Sequence, residues 1–373
     1  MNQPCLIRSH PEGPLVPKDL ARIATVAASY LSAARKMLRK LSTTSAEGGG
    51  SSNSAIALQY NPSDSMRKAA LFYNPLSGRR QARRVADVEA ALTVLRQAGI
   101  EIAAEPTRGQ AEASEQARQA IAEGCDTVFA CGGDGTVHDV LQGMVGSGAA
   151  LGIIPLGTAN ALAHDLGLPL SAVAAARASL QAKPHRISLG RVEYLESGGQ
   201  RAARFFIVAA GIGVDAHLFY KLNPLIKGRL GMLAYYAKAL RLWLTHPLEK
   251  FPVVVDGTKA EVSQLLAVRI RNFGGALRQL APGASLERDD LRLVLFHTRS
   301  RTVYLRYVAR GLLGAAWQVD GVELVNALKV HCHAPRHSQS NSKMYVEADG
   351  ELLGTLPAEI TIAPDALTVL IPN

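Results

Sequence analysis

The chain lacks any apolar run approaching the ~18 residues needed to cross a bilayer. Its longest candidate, FFIVAAGIGV over Phe205–Val214, is too short and holds glycines. An integral membrane protein is not expected, which leaves a soluble or peripheral one. Cysteine is scarce: Cys5, Cys125, Cys131 and Cys332 in 373 residues, none in a C-x-x-C pair. That excludes a disulfide framework and points to a reducing, cytoplasmic compartment with ordinary thiols. Internal repeats are missing as well. Acids are outnumbered, 31 against 41 Lys and Arg, for a formal charge of +10. Such a balance suits phosphate-bearing partners: nucleotides, nucleic acid or an anionic membrane surface. The charge is spread and no basic-aromatic recognition motif appears, so nucleic acid is not expected.

What is present falls into three parts. Residues 1–68 form an extension. Lys18–Leu41 predicts a helix, with Leu20, Ile23, Ala27, Leu31, Ala34, Leu38 and Leu41 on one stripe. It carries six Lys or Arg and one acid, Asp19, which suits a helix lying on anionic lipid. A polar linker, 43–66, follows and begins TTSAEGGGSSNS. Residues 69–184 alternate strand, turn and helix: AALFYN, a helix over Gln81–Ala98, IEIAAEP, a helix over Ala111–Gly124, DTVFAC and ALGIIP. This alternation predicts a three-layer α/β domain with a parallel sheet, whose ligands bind beyond the carboxyl ends of the strands. Residues 185–373 read as strand after strand separated by Gly, Pro and Asn, an antiparallel β-sandwich domain with a cleft between the two. One helical interruption is expected at Leu230–Leu244. From His217 to Leu248 there are five Lys or Arg and no acid, and the basic segment Lys221–Arg241 within it, with Tyr235, Tyr236 and Trp243, suits lipid headgroups.

The most informative stretch is FACGGDGTVHDVL, Phe129–Leu141. Glycines let the backbone approach a ligand closely, so that N–H groups converge on phosphate oxygens. A helix starting at Thr136 or Val137 would add its positive end. A carboxylate inside such a loop, Asp134, repels phosphate unless a divalent cation lies between or the acid takes a proton. The loop therefore points to nucleotide phosphate with Mg²⁺, to a hydroxyl awaiting deprotonation, or to both. It is neither a Walker P-loop, G-x-x-x-x-G-K-[ST], nor the G-x-G-x-x-G dinucleotide fingerprint.

GGDGT after a strand resembles lipid kinases of the diacylglycerol kinase and sphingosine kinase type, and also NAD kinases. NPLSG (Asn74–Gly78), PTRGQAEASEQA, PLGTANALAHDLGLP (Pro155–Pro169), GIGVDA (Gly211–Ala216), NFGGALRQLAPGA (Asn272–Ala284) and VEADGE (Val346–Glu351) follow the lipid-kinase series in order. The resemblance covers some four-fifths of the chain, from about Ala69 to the C-terminus. It implies an enzyme that transfers the γ-phosphoryl group of ATP to a lipid hydroxyl, most readily that of diacylglycerol, at a membrane to which it binds peripherally. Sphingoid base or ceramide, a soluble NAD kinase-like activity and a non-catalytic lipid- or nucleotide-binding regulator are the alternatives.

The same resemblance assigns roles. Asn74, Ser77 and Gly78 would hold phosphate, and Thr107 would contact nucleotide. Gly132, Gly133 and Gly135 would offer backbone N–H groups. Gly157 belongs to the third loop, where Thr158 and Asn160, with Thr136, would hydrogen-bond nucleotide or phosphate. Asp134 and Glu351 are the Mg²⁺ candidates. Asp349 and Glu351, two apart on a strand end and so on one face, return to the cleft; Asp349 is the expected base for the lipid hydroxyl, with Asp134 as the other candidate. Asp215 is a further acid for the substrate side. Two features depart from the family. His138 and Asp139 stand where Asn-Glu is common, Asp139 being one methylene shorter than Glu. The turn Glu287, Arg288, Asp289, Asp290 lacks the glycine found where bacterial relatives hold a structural Mg²⁺, and Arg288 in its middle opposes a cation, so that site is not expected. In HCHAPRH, His331 and His333 share one strand face and Cys332 the other, so no metal site is expected there either.

Overall fold

The first four strands and the helices between them follow the predicted alternation in a computed structural model that describes residues 66–75, 81–213, 248–274, 279–313, 318–335 and 344–372. The helix at 18–41, the linker through residue 65, Ser77, Gly78, Asp215 and the helix at Leu230–Leu244 lie outside the described residues. Every described residue belongs to the unit Asn61–Asn373. The order is β1 (Lys68–Tyr73), α1 (Gln81–Gln97), β2 (Glu101–Pro106), α2 (Gln110–Ala122), β3 (Thr127–Gly132), α3 (Asp134–Met144), β4 (Ala150–Pro155), α4 (Ala161–Asp165), α5 (Ala172–Gln181) and β5 (Lys183–Leu195). β4, β3, β1 and β2 lie side by side in that order, all parallel. TVFACG and ALGIIP are buried at every position because both faces of the sheet are covered. Val128 and Ala130 pack with Val140, Leu141 and Met144 of α3 on one face. Leu71, Phe129 and Cys131 pack with Val88, Leu92 and Leu95 of α1 on the other. This is the three-layer arrangement the alternation predicted.

The remaining strands are β6 (Arg201–Phe206), β7 (Ala209–Ile212), β8 (Phe251–Val255), β9 (Thr258–Val262), β10 (Gln264–Val268), β11 (Leu291–Phe296), β12 (Val322–Ala327), β13 (Lys329–Cys332), β14 (Tyr345–Ala348) and β15 (Glu351–Ile371), with α6 (Arg301–Leu313) before β12. Their mutual pairings are antiparallel. Phe206, Phe251, Leu265, Leu293, Val330, Val346 and Ile360 fill the interior of this sandwich. β15 runs beside β14, β13 and β5, and ends parallel to β4 through Thr368 and Val369. The C-terminal strand thus returns to the first sheet.

Several expectations need correction. ARFFIVAAG reads as one strand but forms two, β6 and β7, because the N–H groups of Ile207, Val208 and Ala209 are drawn to the Asp349 carboxylate. α3 starts at Asp134 rather than at Thr136 or Val137, so the acid lies in the helix's first turn. β15 continues through Pro357 and Pro364. Both sit at register shifts against β5, 355/359 and 363/367, where the ladder asks for no N–H. α5, α6, β9 and β12 were not anticipated. α5 is largely alanine and β9 largely polar, so neither shows a period.

Candidate active site

Parallel strands open all their following loops at one sheet edge. Asn74, Thr107, Gly133 and Leu156–Asn160 follow β1, β2, β3 and β4 and meet there. The Thr107 N–H donates to the Tyr73 carbonyl (2.8 Å) and the Leu156 N–H to the Gly132 carbonyl (2.7 Å), tying neighbouring loops together. The glycines of the third and fourth loops serve close approach rather than unusual φ. A Cβ on Gly157 would lie 2.4 Å from the Gly133 Cα, and one on Gly132 would lie 2.3 Å from the Thr136 Oγ1. Asn160, at φ 51°, closes the loop after β4: its Oδ1 accepts from the Gly157 N–H (2.9 Å) and its Nδ2 donates to the Gly157 carbonyl (3.2 Å). Thr158 is exposed at the tip. Arg84, buried on α1, donates to the Leu156 carbonyl (2.7 Å). Sequence reading missed this arginine because it lies mid-helix, outside every motif.

The acids come to the same edge from two directions. Asp134 accepts the N–H groups of Asn160, Ala161 and Leu162 at the start of α4. Burial pushes its carboxyl up despite those bonds, and the Asp349 charge adds to the push. Asp349 and Glu351 arrive on the β14–β15 hairpin. They do not sit two apart on one strand face. Ala348 pairs with Glu351, and Asp349 and Gly350 form the two-residue loop with φ 49° and 84°. Positive φ at both positions is the pattern of a type I′ turn, for which Asp-Gly is preferred. The dipeptide in VEADGE was the available signal. In this turn the Asp349 carboxylate folds back onto the strand break: Oδ1 accepts from Val208 (2.9 Å) and Ala209 (3.0 Å), and Oδ2 from Ile207 (3.0 Å). His138 Nδ1 lies 3.0 Å from Oδ2, and the Asp349 side chain is 2% exposed. Glu351 is 21% exposed, and its Oε2 lies 3.9 Å from His138 Nε2. A Cβ on Gly135 would be 3.4 Å from the Glu351 Oε1, which puts this carboxylate against the first turn of α3.

His138 therefore sits between two carboxylates. Burial pulls its imidazole pKa down, but the Asp349 hydrogen bond and the charges of Asp349, Glu351 and Asp139 outweigh that, and the net direction is up. Asp139 is pushed up to about 7, first by burial and then by Glu351, with His138 and Arg204 opposing. Its Oδ1 has no hydrogen-bond partner among the described residues. The motif NFGG joins the same edge: Asp165 accepts from Arg271 and Asn272 (both 2.8 Å), and Gly274, at φ +76°, lies against the His164 ring. Cys131 is fully buried and its thiol is pushed up to about 12 by burial, which leaves no thiolate for chemistry. In HCHAPRH, Cys332 points into the core and His331 pairs with Glu359 (2.8 Å). Among the described residues, no three of His, Cys, Asp and Glu gather as a metal cage, and no helix is long and apolar enough to cross a membrane.

Proteins of known family resemble this chain along both of its halves. Residues 68–192 match the diacylglycerol kinase catalytic domain, and 207–371 match the YegS C-terminal NAD kinase beta sandwich-like domain. A diacylglycerol kinase of Mycobacterium tuberculosis (strain ATCC 25618 / H37Rv) is 33% identical over 311 residues, covering 82% of this chain and 96% of that protein. A diacylglycerol kinase of Bacillus subtilis (strain 168) is 28% identical over 313 residues, covering 83% and 97%. A crystal structure of a diacylglycerol kinase from Bacillus anthracis str. Sterne superposes with a TM-score of 0.58 at 18% identity, over 83% of this chain and 97% of that one, which shows a shared fold. The chain belongs to the diacylglycerol kinase-like family of lipid kinases, and is a kinase for which the family implies ATP as phosphate donor.

Proposed function

We propose that the chain phosphorylates the free hydroxyl of diacylglycerol, using Mg²⁺-ATP, while bound peripherally to an anionic membrane. One observation carries this reading: the glycine loops and the four acids Asp134, Asp139, Asp349 and Glu351 converge at a single sheet edge. The relatives' names supply the acceptor. The first N–H groups of α3 have no partner within the helix. With the helix dipole, they favour phosphate oxygens beside Gly133 and Gly135. Asn74, Thr107, Thr136 and Thr158 border the same space, Ser77, Gly78 and Asp215 extending it by resemblance. Asn160 acts indirectly, by closing the loop around Gly157.

Phosphoryl transfer needs positioning and charge neutralisation more than covalent chemistry. The residues present fit Mg²⁺, which keeps several waters and takes one or two carboxylates plus phosphate oxygens. Glu351 and Asp134 would hold it, and Asp139, pushed up first by burial and then by the Glu351 charge, has an Oδ1 without a hydrogen-bond partner among the described residues, which marks a place short of positive charge. The ion would neutralise the phosphates. Asp349 was the expected base, but both its oxygens already accept hydrogen bonds. That supports a holding role: Asp349 fixes the turn, and Glu351, the more exposed carboxylate, receives the hydroxyl proton as the lipid oxygen bonds to the γ-phosphorus and the bridging oxygen leaves with ADP. The basic segment 221–241 and the stretch 18–41, whose periodicity predicts a helix, are the proposed contacts with lipid headgroups.

The test is a labelled-phosphate transfer assay with γ-labelled ATP, Mg²⁺ and mixed micelles holding diacylglycerol, sphingosine or ceramide, with NAD as a soluble acceptor. Label on diacylglycerol that disappears with Glu351→Gln is the expected result. Label on another acceptor, or on none while diacylglycerol is present, rejects the proposal.

A further inference from the structure

Among the described residues, Arg269, which follows β10, is a charged side chain only 1% exposed. An internal arginine ordinarily faces a carboxylate. This one faces backbone. Nη2 donates to the carbonyls of Ser188 (2.9 Å), Arg288 (2.8 Å) and Leu286 (3.3 Å), and Nη1 donates to that of Asp290. The two acids nearby are committed elsewhere: Asp289 accepts from the Ser188 hydroxyl, and Asp290 from the exposed Arg288 side chain (Nε to Oδ1, 2.7 Å, and Nη2 to Oδ2). Burial lowers the Arg269 pKa to about 10, with Asp290 and Asp289 opposing, so the group stays cationic at neutral pH.

Carbonyls at alternate positions of one loop, 286, 288 and 290, turned inward with a fourth from a neighbouring strand, form the oxygen set that binds a hard cation. A guanidinium with its donors in a plane fills that set without a metal. A structural Mg²⁺ at the 287–290 turn does not fit this chain, because the carbonyls of 286, 288 and 290 already accept from Arg269, and Asp289 and Asp290 from Ser188 and Arg288. We propose that Arg269 is a built-in cation which orders the 285–290 loop in place of a metal ion and, through it, holds the strand break under the Asp349 turn. The second half follows from the backbone. The Arg269 N–H donates to the Val208 carbonyl (2.9 Å), and the Val208 N–H donates to Asp349. Ser188 lies on β5 at the register shift between 363 and 367, where β5 passes from the sandwich to the first sheet. Arg269 is thus a positioning residue, remote from the reacting atoms, and the inference holds whichever lipid is the acceptor.

The test measures metal dependence by thermal unfolding, without nucleotide or added metal. Wild type as purified should unfold within about 1 °C of the same protein treated with EDTA; a larger drop on chelation shows a tightly held ion and overturns the proposal. Arg269→Ala leaves the carbonyls of Ser188, Leu286, Arg288 and Asp290 without this donor, two of them in buried bonds, and should lose about 5 °C or more. Millimolar Ca²⁺, or guanidinium below denaturing concentration, should return part of that loss in Arg269→Ala and none in wild type. A purely packing role predicts no rescue by either cation, and that result would also overturn it. Should the alanine variant fail to fold, Arg269→Lys carries the same arms: a partly filled cage predicts a smaller loss, again reduced by Ca²⁺.

Discussion

Replacing Gly157 by Ala adds one methyl group at the point where the two glycine loops touch. The added carbon would lie 2.4 Å from the Gly133 Cα and 2.6 Å from the Asn160 Oδ1, against 3.4–4 Å for ordinary contact. The Gly133 neighbour is backbone, so no rotamer change relieves the clash. One loop must move by about 1 Å. Overpacking of this kind costs about 1–3 kcal/mol. If the displaced loop is the phosphate-binding one, the cost appears in the transition state as a loss in kcat/KM for ATP of about 5- to 150-fold. If the fold carries part of it, the melting temperature falls by about 2–10 °C. Gly148→Ala is the control: its Cβ meets nothing within 4 Å, and both readouts should stay at wild-type values. The measurement is initial rate against ATP concentration at saturating lipid, with unfolding followed in parallel. Gly157→Ala within twofold of wild type in kcat/KM, and within about 1 °C in melting temperature, would refute the claim that the loops are held at backbone contact.

Glu351→Gln and Asp349→Asn separate chemistry from support. The first should keep the wild-type melting temperature and lose about 10²- to 10⁴-fold in kcat. The second should lose about 1–3 kcal/mol of stability, because an amide accepts on one side only and strands at least one of the Ile207–Ala209 N–H groups. Equal stability losses for both would reject the division of roles. Asp139 supplies a pH signature. Its folded pKa is raised to about 7, so the folded state binds more protons than the unfolded one between about pH 4 and 7, and its effect on stability worsens as pH rises through that window. Asp139→Asn removes the penalty. Its gain in melting temperature over wild type, without nucleotide or Mg²⁺, should be small near pH 4–5 and complete above pH 7; a constant gain across that range would contradict the assignment.

The parallel half of the fold was legible because β1, β3 and β4 are short apolar runs, each followed by a turn and a helical stretch, with α5 the exception. The place of the glycine loop was legible because GGDGT directly follows an apolar run, and it lies between β3 and α3. What stayed hidden shares one cause: it depends on a partner remote in sequence. Nothing within ARFFIVAAG announces the break at Ile207–Val208, because the group that causes it is Asp349, 142 residues from Ile207. Arg84 and Arg269 look like ordinary helix and strand arginines until the carbonyls they serve are brought to them. The inward turn of Asp349 was hidden for a related reason: the N–H groups it serves belong to Ile207, Val208 and Ala209. Its place in VEADGE resembles a catalytic position, yet the two-residue turn it forms turns the carboxylate inward.

The spacing between the acid turn and the glycine loops is set by backbone, and β15 is the reason. It leaves the site at Glu351, crosses the sandwich, and finishes beside β4, the strand that carries the Leu156–Asn160 loop. Along the way β5 pairs with it on both sides of two register shifts. Glu351 and the strand that carries the Leu156–Asn160 loop are therefore joined through one hydrogen-bonded ladder as well as through space. A cleft formed by two parts on a flexible linker would leave that spacing loose, and phosphoryl transfer loses rate steeply when reacting groups are displaced by about 1 Å. The Asp349 cage, the Arg269 cage and the β15 ladder act on the same variable from three directions. This accounts for the amount of buried polar structure behind a site whose own chemistry requires few side chains.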